Sequence, residues 1–384
     1  MAYEHLGLRE WPFRVVPEPE FCDFLADRTV LRNDVQALLS TFDRRPTSDI
    51  HLLWSWYGAG KTHTLYYIAN QCAKASSTLL PLYVELPREA RGFIDLYRVT
   101  VSQIAIELIL DAFLEFTTRP SPKAGFSRVI DPDLNSALTQ AVVGERSIQT
   151  VLGQWLLGNT LPAASLRQLG VGAQIRSTEK SGAILADIIG LLAPRANGES
   201  QPGKRVIWII DEVQRVGEGP SGSAKRSTLS GMVGVFNRCP TGLTMILSYT
   251  GRPTEKTLPD WIPADLADRI GLERPLLLPD LRSDEALDFV KEVLAHFRIP
   301  EANVGPFFPF AQDAVESLLK ALGRTASILK PRTIMEALDA SLRTLEPRFR
   351  AGDRREISIP QLRESLGRMT LDWSDGRSGR RGKA

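Results

Sequence analysis

Five short, nearly continuous apolar runs punctuate the chain, and longer stretches between them repeat their apolar positions at helical spacing. The runs are Ile50 to Trp56, Leu79 to Leu86, Arg205 to Ile210, Leu243 to Ser248 and Pro275 to Leu278. Short apolar runs separated by helical segments predict parallel strands covered on both faces. Helical patterns run from Asp27 to Leu39 and from Lys61 to about Ala73. More than a hundred residues separate the second and third runs, too many for one crossover. They read as helices over Leu96–Phe116, Asp133–Ala141, Ser147–Leu157 and Gly182–Leu192, broken at Pro120-Ser-Pro122 and from Pro194 to Gly203. From Ser283 on, every pattern is helical: Ser283–Phe297, Ala311–Leu322, Pro331–Leu345 and Pro360–Met369.

The expected architecture is therefore an α/β domain over 49–282 with a mostly helical insertion at about 96–200. A proline-broken N-terminal segment, 1–48, precedes it, with Pro12, Pro17 and Pro19 in its opening. A helical domain over 283–370 follows, and a Gly-rich basic stretch over 371–384 reads as a flexible tail. No internal repeat is visible.

Composition narrows the class without naming it. Of 384 residues, 43% are apolar and 24% charged, which excludes whole-chain disorder and fibrous repeats. Lys plus Arg number 47 against 45 Asp plus Glu, so nucleic-acid affinity must come from local patches. Cys22, Cys72 and Cys239 are far apart and form no CxxC, arguing against a disulfide framework or a zinc site and for a reducing cytoplasm. No apolar run is long enough to cross a bilayer, and Met-Ala-Tyr-Glu-His lacks the basic start of a signal peptide. A cytoplasmic protein without a membrane partner is expected.

Chemistry concentrates at two strand ends. Ser55-Trp-Tyr-Gly58-Ala59-Gly60-Lys61-Thr62 joins a strand to a helix by a tight loop, the arrangement that binds phosphates. Backbone N–H groups over Gly58 to His63 would hold the β- and γ-phosphates of a nucleotide, Lys61 would reach across them, and Thr62 would bind magnesium. Ser55 stands where such loops usually have their first glycine. The third run ends in Asp211-Glu212. There Asp211 would hold magnesium through water, and Glu212 would polarise the attacking water. His63 and His51 flank the loop, and packing or a surface role explains His63 better than catalysis does. Trp54 and Trp56 read as sheet packing, and the loop from Gly217 to Ala224 with Lys225-Arg226 as a mobile linker.

These motifs, in this order and with Glu after the magnesium Asp, resemble the AAA+ ATPases. The resemblance implies a P-loop NTPase sheet of order 5-1-4-3-2, Mg-dependent ATP hydrolysis and a homo-oligomeric ring or filament. It implies sensor 1 at Ser248 or Thr250, within Ser248-Tyr-Thr250, and an arginine finger at Arg269 in Asp265-Leu-Ala-Asp-Arg269, with Arg274 and Arg252 as rivals. Sensor 2 would be Arg332, where Lys330-Pro-Arg332 opens a lid helix. The opening Leu6-Gly-Leu-Arg-Glu-Trp-Pro-Phe13 with Pro17-Glu-Pro-Glu-Phe21 resembles the ExeA/TniB/TnsC-like or origin-recognition-like branch. Gln154-Trp155-Leu156-Leu-Gly158 and Leu166-Arg-Gln-Leu-Gly170 are similar to insertions of BREX-associated phage-defence ATPases, with Trp155 and Leu156 read as core. No winged helix or other base-reading motif is recognisable, so any double-stranded DNA contact would be to the backbone. The reading that results is an ATP-dependent regulator or motor acting on DNA in transposition or anti-phage defence. It would work with a partner nuclease, methyltransferase or transposase. A nucleotide-gated switch for a protein effector, without DNA, and a polypeptide-threading remodeller are the rivals.

Overall fold

The computed structural model describes residues 3–26, 29–42, 47–75, 78–118, 130–193, 203–218, 221–251, 258, 260–270, 275–326, 329–367 and 369–373. Pro120-Ser-Pro122, most of the Pro194–Gly203 break and the tail from 374 onward lie outside the described residues. The chain forms two compact units: residues 34–54 with 68–277, and residues 1–33 with 55–67 and 278–384.

The first unit is built on one five-stranded sheet. Its strands are β1 (Asp49–Ser55), β2 (Leu79–Glu85), β3 (Arg205–Asp211), β4 (Leu243–Thr250) and β5 (Leu276–Leu277), in the order β2-β3-β4-β1-β5. Read from the other edge, that is the expected 5-1-4-3-2. The pairs β2–β3, β3–β4 and β1–β5 run parallel, so these carboxyl ends share one edge. Every residue of β3 and β4 is buried, the reason both read as continuous apolar runs. The one cation in β3, Arg205, is 4% exposed at the opposite edge. Its guanidinium donates to Thr244 Oγ1 at 2.9 Å, Thr47 O at 2.8 Å and Asp49 Oδ1 at 3.1 Å, and Thr244 Oγ1 donates to the same Asp49 oxygen at 2.6 Å. A buried charge is tolerable only when paired and hydrogen-bonded in this way, and the staple fixes the starts of β1, β3 and β4 together.

Among the described residues the insertion holds six helices: α3 (Phe93–Val101), α4 (Ile106–Thr118), α5 (Pro132–Val143), α6 (Arg146–Leu156), α7 (Ala163–Leu169) and α8 (Thr178–Leu192). The single helix predicted over 96–116 is two. Between them Ser102 Oγ donates to Val99 O at 2.9 Å, the Gln103 amide donates to Tyr83 O on β2, and Ile104 turns inward. Such side chain–backbone bonds compete with helix continuation. Trp155 and Leu156 are fully buried, as predicted for core, and the Trp155 indole donates to Ala173 O at 3.0 Å. The buried helix α8 is tied to the start of α5 by Lys180, whose Nζ lies 2.6 Å from Asp131 Oδ1 and 2.7 Å from Asp133 Oδ2. After β3 come α9 (Arg215–Glu218), α10 (Gly222–Arg238) and, past β4, α11 (Ala264–Ile270). The predicted linker from 217 to 224 is thus cut short, because Ser221 caps α10 by accepting from Ala224 N at 3.1 Å.

In the second unit, α12 (Ser283–Phe297), α13 (Gln312–Ala326), α14 (Pro331–Arg350) and α15 (Ile359–Ser365) share an apolar core with Leu6, Leu8 and Phe13. Trp11 Nε1 donates to Asp339 Oδ1 on α14 at 2.7 Å, and Phe13 meets Phe310 edge-on at 5.9 Å. The remaining helices are α1 (Thr29–Phe42) and α2 (Lys61–Ala75). Among the described residues no helix is long and apolar enough to cross a membrane. Cys22, Cys72 and Cys239 are free and buried.

Close packing gives the first prediction. A Cβ on Gly231 of α10 would sit 2.1 Å from the Phe93 ring of α3. Gly231→Ala is expected to lower the unfolding free energy by about 1–3 kcal/mol, checked by chemical denaturation against the parent.

Candidate functional site

β1 hands directly into the loop Trp56 to Gly60, and α2 starts at Lys61. Gly58 and Gly60 take φ of +79° and +98°, which a residue with a Cβ adopts only with strain. Lys61 is 6% exposed, and its Nζ donates to Ser55 O at 3.3 Å and Trp56 O at 3.2 Å, with the Tyr57 ring 5.8 Å away. The cation is thereby held over the loop's own backbone. Nothing lies within 4 Å of where a Gly60 Cβ would be, so that side of the loop is open to a ligand. Thr64 Oγ1 donates back to Gly60 O at 3.0 Å and locks the first turn of α2. Loop, cation and helix N-terminus fit a polyphosphate.

The His63 ring is spent on packing. Its Nε2 donates to Phe24 O at 2.7 Å, and its Nδ1 lies 3.3 Å from Cys22 Sγ. Burial lowers the His63 pKa and pushes the Cys22 thiol up to about 12, so both are neutral and the thiol is inert. Only the backbone of His63 remains for a phosphate. His51 pairs with Asp49 at 3.1 Å, at the start of β1 and away from the loop that follows its end.

The second motif stands on the strand-end edge of the sheet. Glu85 of β2 and Asp211 of β3 are register partners. Asp211 is 1% exposed, receives Tyr83 Oη–H at 3.0 Å on Oδ2, and takes the Glu212 backbone N–H at 2.8 Å on Oδ1. Glu212 has φ +62°, and no other non-glycine among the described residues has a positive value. Strain of this kind costs about 1–3 kcal/mol and collects at functional sites. Two residues that the sequence did not single out hold its carboxylate. Gln214 Nε2 donates to Glu212 Oε2 at 2.8 Å, and Arg215 Nε lies 3.4 Å from the same oxygen. Nothing in the spacing of an Asp-Glu-Val-Gln-Arg run distinguishes such a clamp from solvated turn residues.

Ser248 and Thr250 both lie in β4, and both hydroxyls are buried with no hydrogen-bond partner among the described residues. Buried hydroxyls are ordinarily paired, so both are suited to a ligand or its water. Arg269 is exposed on α11, with its guanidinium 5.5 Å over the Phe236 ring and no carboxylate partner among the described residues. Its rivals Arg252 and Arg274 lie outside the described residues. Arg332 is in the first turn of α14, with Pro331 at the first helical position. Its backbone N–H donates to Gly58 O at 3.2 Å, which sets the start of α14 against the phosphate loop. Among the described residues no cluster of His, Cys, Asp and Glu could by itself hold a metal.

Solved structures share the fold, two proteins of Aeropyrum pernix among them. The ORC2 protein of Aeropyrum pernix, in ADPNP and ADP complexes, matches with a TM-score of 0.52 and 14% identity over 90% of this chain and 69% of that one. The ORC1 protein of the same organism, in complex with DNA, matches at 0.51 and 12% over 94% and 70%. The chain has the α/β P-loop NTPase fold with a helical C-terminal region. No protein-family model and no curated protein matches it.

The unpaired hydroxyls make a second prediction. Removing a buried group that has no partner forfeits no hydrogen bond, so Ser248→Ala should change stability by less than about 1 kcal/mol. Thermal unfolding checks this; a larger loss means that Ser248 Oγ has a structural partner.

Proposed function

We propose that the chain is an ATP-dependent AAA+ regulator or motor that assembles with copies of itself and acts on DNA together with partner proteins. The observation that carries this reading is the phosphate loop: two left-handed glycines, a buried lysine held over the loop and a helix starting at that lysine. ATP would lie with its β- and γ-phosphates on the N–H groups from Gly58 to His63, and Lys61 would leave Ser55 O and Trp56 O to neutralise them. Magnesium, when bound through Thr62 and Asp211, would offset the charge that develops on the phosphate oxygens. Glu212 would take a proton from the attacking water, Ser248 or Thr250 would orient that water or the γ-phosphate, and Arg332 would reach the γ-phosphate from α14.

Exposed and unpaired with any carboxylate, Arg269 suits a trans role in a neighbouring subunit's site. Contact with double-stranded DNA would be to its backbone, hence salt-dependent. The A. pernix ORC1 structure with DNA supports a DNA-directed role on this fold. The N-terminal and insertion resemblances favour transposition or phage defence as the setting, with a nuclease, methyltransferase or transposase as partner. ATP-stimulated, salt-sensitive retention on duplex DNA is the deciding experiment. ATP-gated capture of a protein effector without DNA would replace this reading with a signalling switch.

Further outcomes are expected in variants of the site. Lys61→Ala should weaken ATP binding at least about tenfold in a titration, whereas Glu212→Gln should bind ATP normally and turn it over at least about a hundredfold more slowly. Arg269→Ala should bind ATP normally and lose hydrolysis by about 10³-fold. Mixing it with Glu212→Gln should restore part of the rate, because some interfaces then join an intact Glu212 to an intact Arg269. Full activity of a dilute monomer would remove the trans arginine.

A further inference from the structure

The turn after β3 is stitched to β4 at two points. Val213 N donates to Ser248 O at 2.9 Å, and Thr250 N donates to Gln214 Oε1 at 3.0 Å. Gln214 is 8% exposed, and the other end of its amide holds Glu212 Oε2. Arg215 approaches that same oxygen while its Nη1 is anchored 2.6 Å from Glu85 Oε1 and 2.8 Å from Leu86 O, at the end of β2. The two polar contacts of the Glu212 carboxylate among the described residues thus both meet Oε2. Oε1 accepts no hydrogen bond among the described residues. One oxygen is anchored, and the other keeps its lone pairs.

We infer that Gln214 is a positioning residue for ATP hydrolysis, tying the Glu212 carboxylate to the end of β4 so that Oε1 is the oxygen that accepts the water proton. This rests on the reading of Glu212 as the water-activating group. In the step itself, one water O–H bond breaks and its proton goes to Oε1. The water oxygen bonds to the γ-phosphorus, and the bond from that phosphorus to the β–γ bridging oxygen breaks, releasing ADP and phosphate. Gln214 gains and loses nothing; it sets where the acceptor stands. A carboxylate on a strained backbone without this tether could rotate about its own side-chain torsions, and placement errors of about 1 Å can cost a hundredfold in rate. The same amide also makes Glu212 responsive to β4. A shift of the Thr250 peptide, on the strand that carries both unpaired hydroxyls, pulls on the acceptor of the proton.

The test uses the full chain and two variants of nearly equal volume. Gln214→Glu keeps the acceptor for Thr250 N–H but replaces the donor to Glu212 with a second carboxylate; Gln214→Met removes both bonds. Each is expected to lower kcat for ATP at least about tenfold while KM stays close to the parent, the split that marks an interaction acting on the chemical step. In a Glu212→Gln background, Gln214→Glu should add no further loss to the single-turnover rate, because the group it positions is gone. If Glu212→Gln turns over at the parent rate, the water-activating assignment fails, and this inference with it. If Glu212→Gln is slow but both Gln214 variants turn over at the parent rate, positioning by Gln214 alone is overturned. An undiminished loss in the Glu212→Gln background, or a fall in kcat accompanied by a comparable rise in KM, would likewise assign Gln214 a structural role only. Should Gln214→Met fail to fold, the Glu variant decides.

Discussion

Burial of β3 and β4 on both faces is the constraint on which the rest of the sheet-bearing unit depends. Strands without a solvent face must be covered by helices above and below, and parallel pairing then brings their carboxyl ends to one edge. That edge is where Asp211, Glu212, Ser248 and Thr250 emerge. At the opposite edge, the Arg205 staple joins β1, β3 and β4 through Thr47, Asp49 and Thr244. Register is thus fixed at the starts of the strands by charge and along their lengths by apolar packing. The strand ends need contribute little to holding the sheet, which frees them for polar groups that satisfy no structural need.

That division shows in the side chains. The acid on β3 is hydrogen-bonded by Tyr83 and by the Glu212 backbone, whereas the Ser248 and Thr250 hydroxyls on β4 have no partner among the described residues. In the other unit, His63 gives up its ring to the N-terminal segment, and a backbone bond from Arg332 sets α14 against Gly58. The Arg205 staple and the His63 ring are paired, whereas the Ser248 and Thr250 hydroxyls have no partner among the described residues.

Sequence patterning made the sheet legible because its strands are buried. All five runs became strands, and their order followed from the resemblance. The phosphate loop was legible because glycine, lysine and threonine are each required there for a different physical reason. What stayed hidden depends on contacts distant in sequence. The break between α3 and α4 hangs on Gln103 meeting Tyr83, and the start of α10 on the Ser221 cap, which residue periodicity does not show. Gln214 and Arg215 read as ordinary turn residues, since their role exists only through Thr250, Glu85 and Leu86.

The left-handed backbone at Glu212 carries a consequence for how this sequence can drift. Glycine or asparagine would occupy that conformation at lower cost, so mutation toward either residue is rewarded by every pressure that favours folding. The water-activating role proposed for Glu212 would oppose it. A lineage that came to need nucleotide binding but no longer hydrolysis would be expected to lose this glutamate early and to keep Lys61, so a glycine or asparagine at this position would be the mark of a paralogue retired to a scaffold.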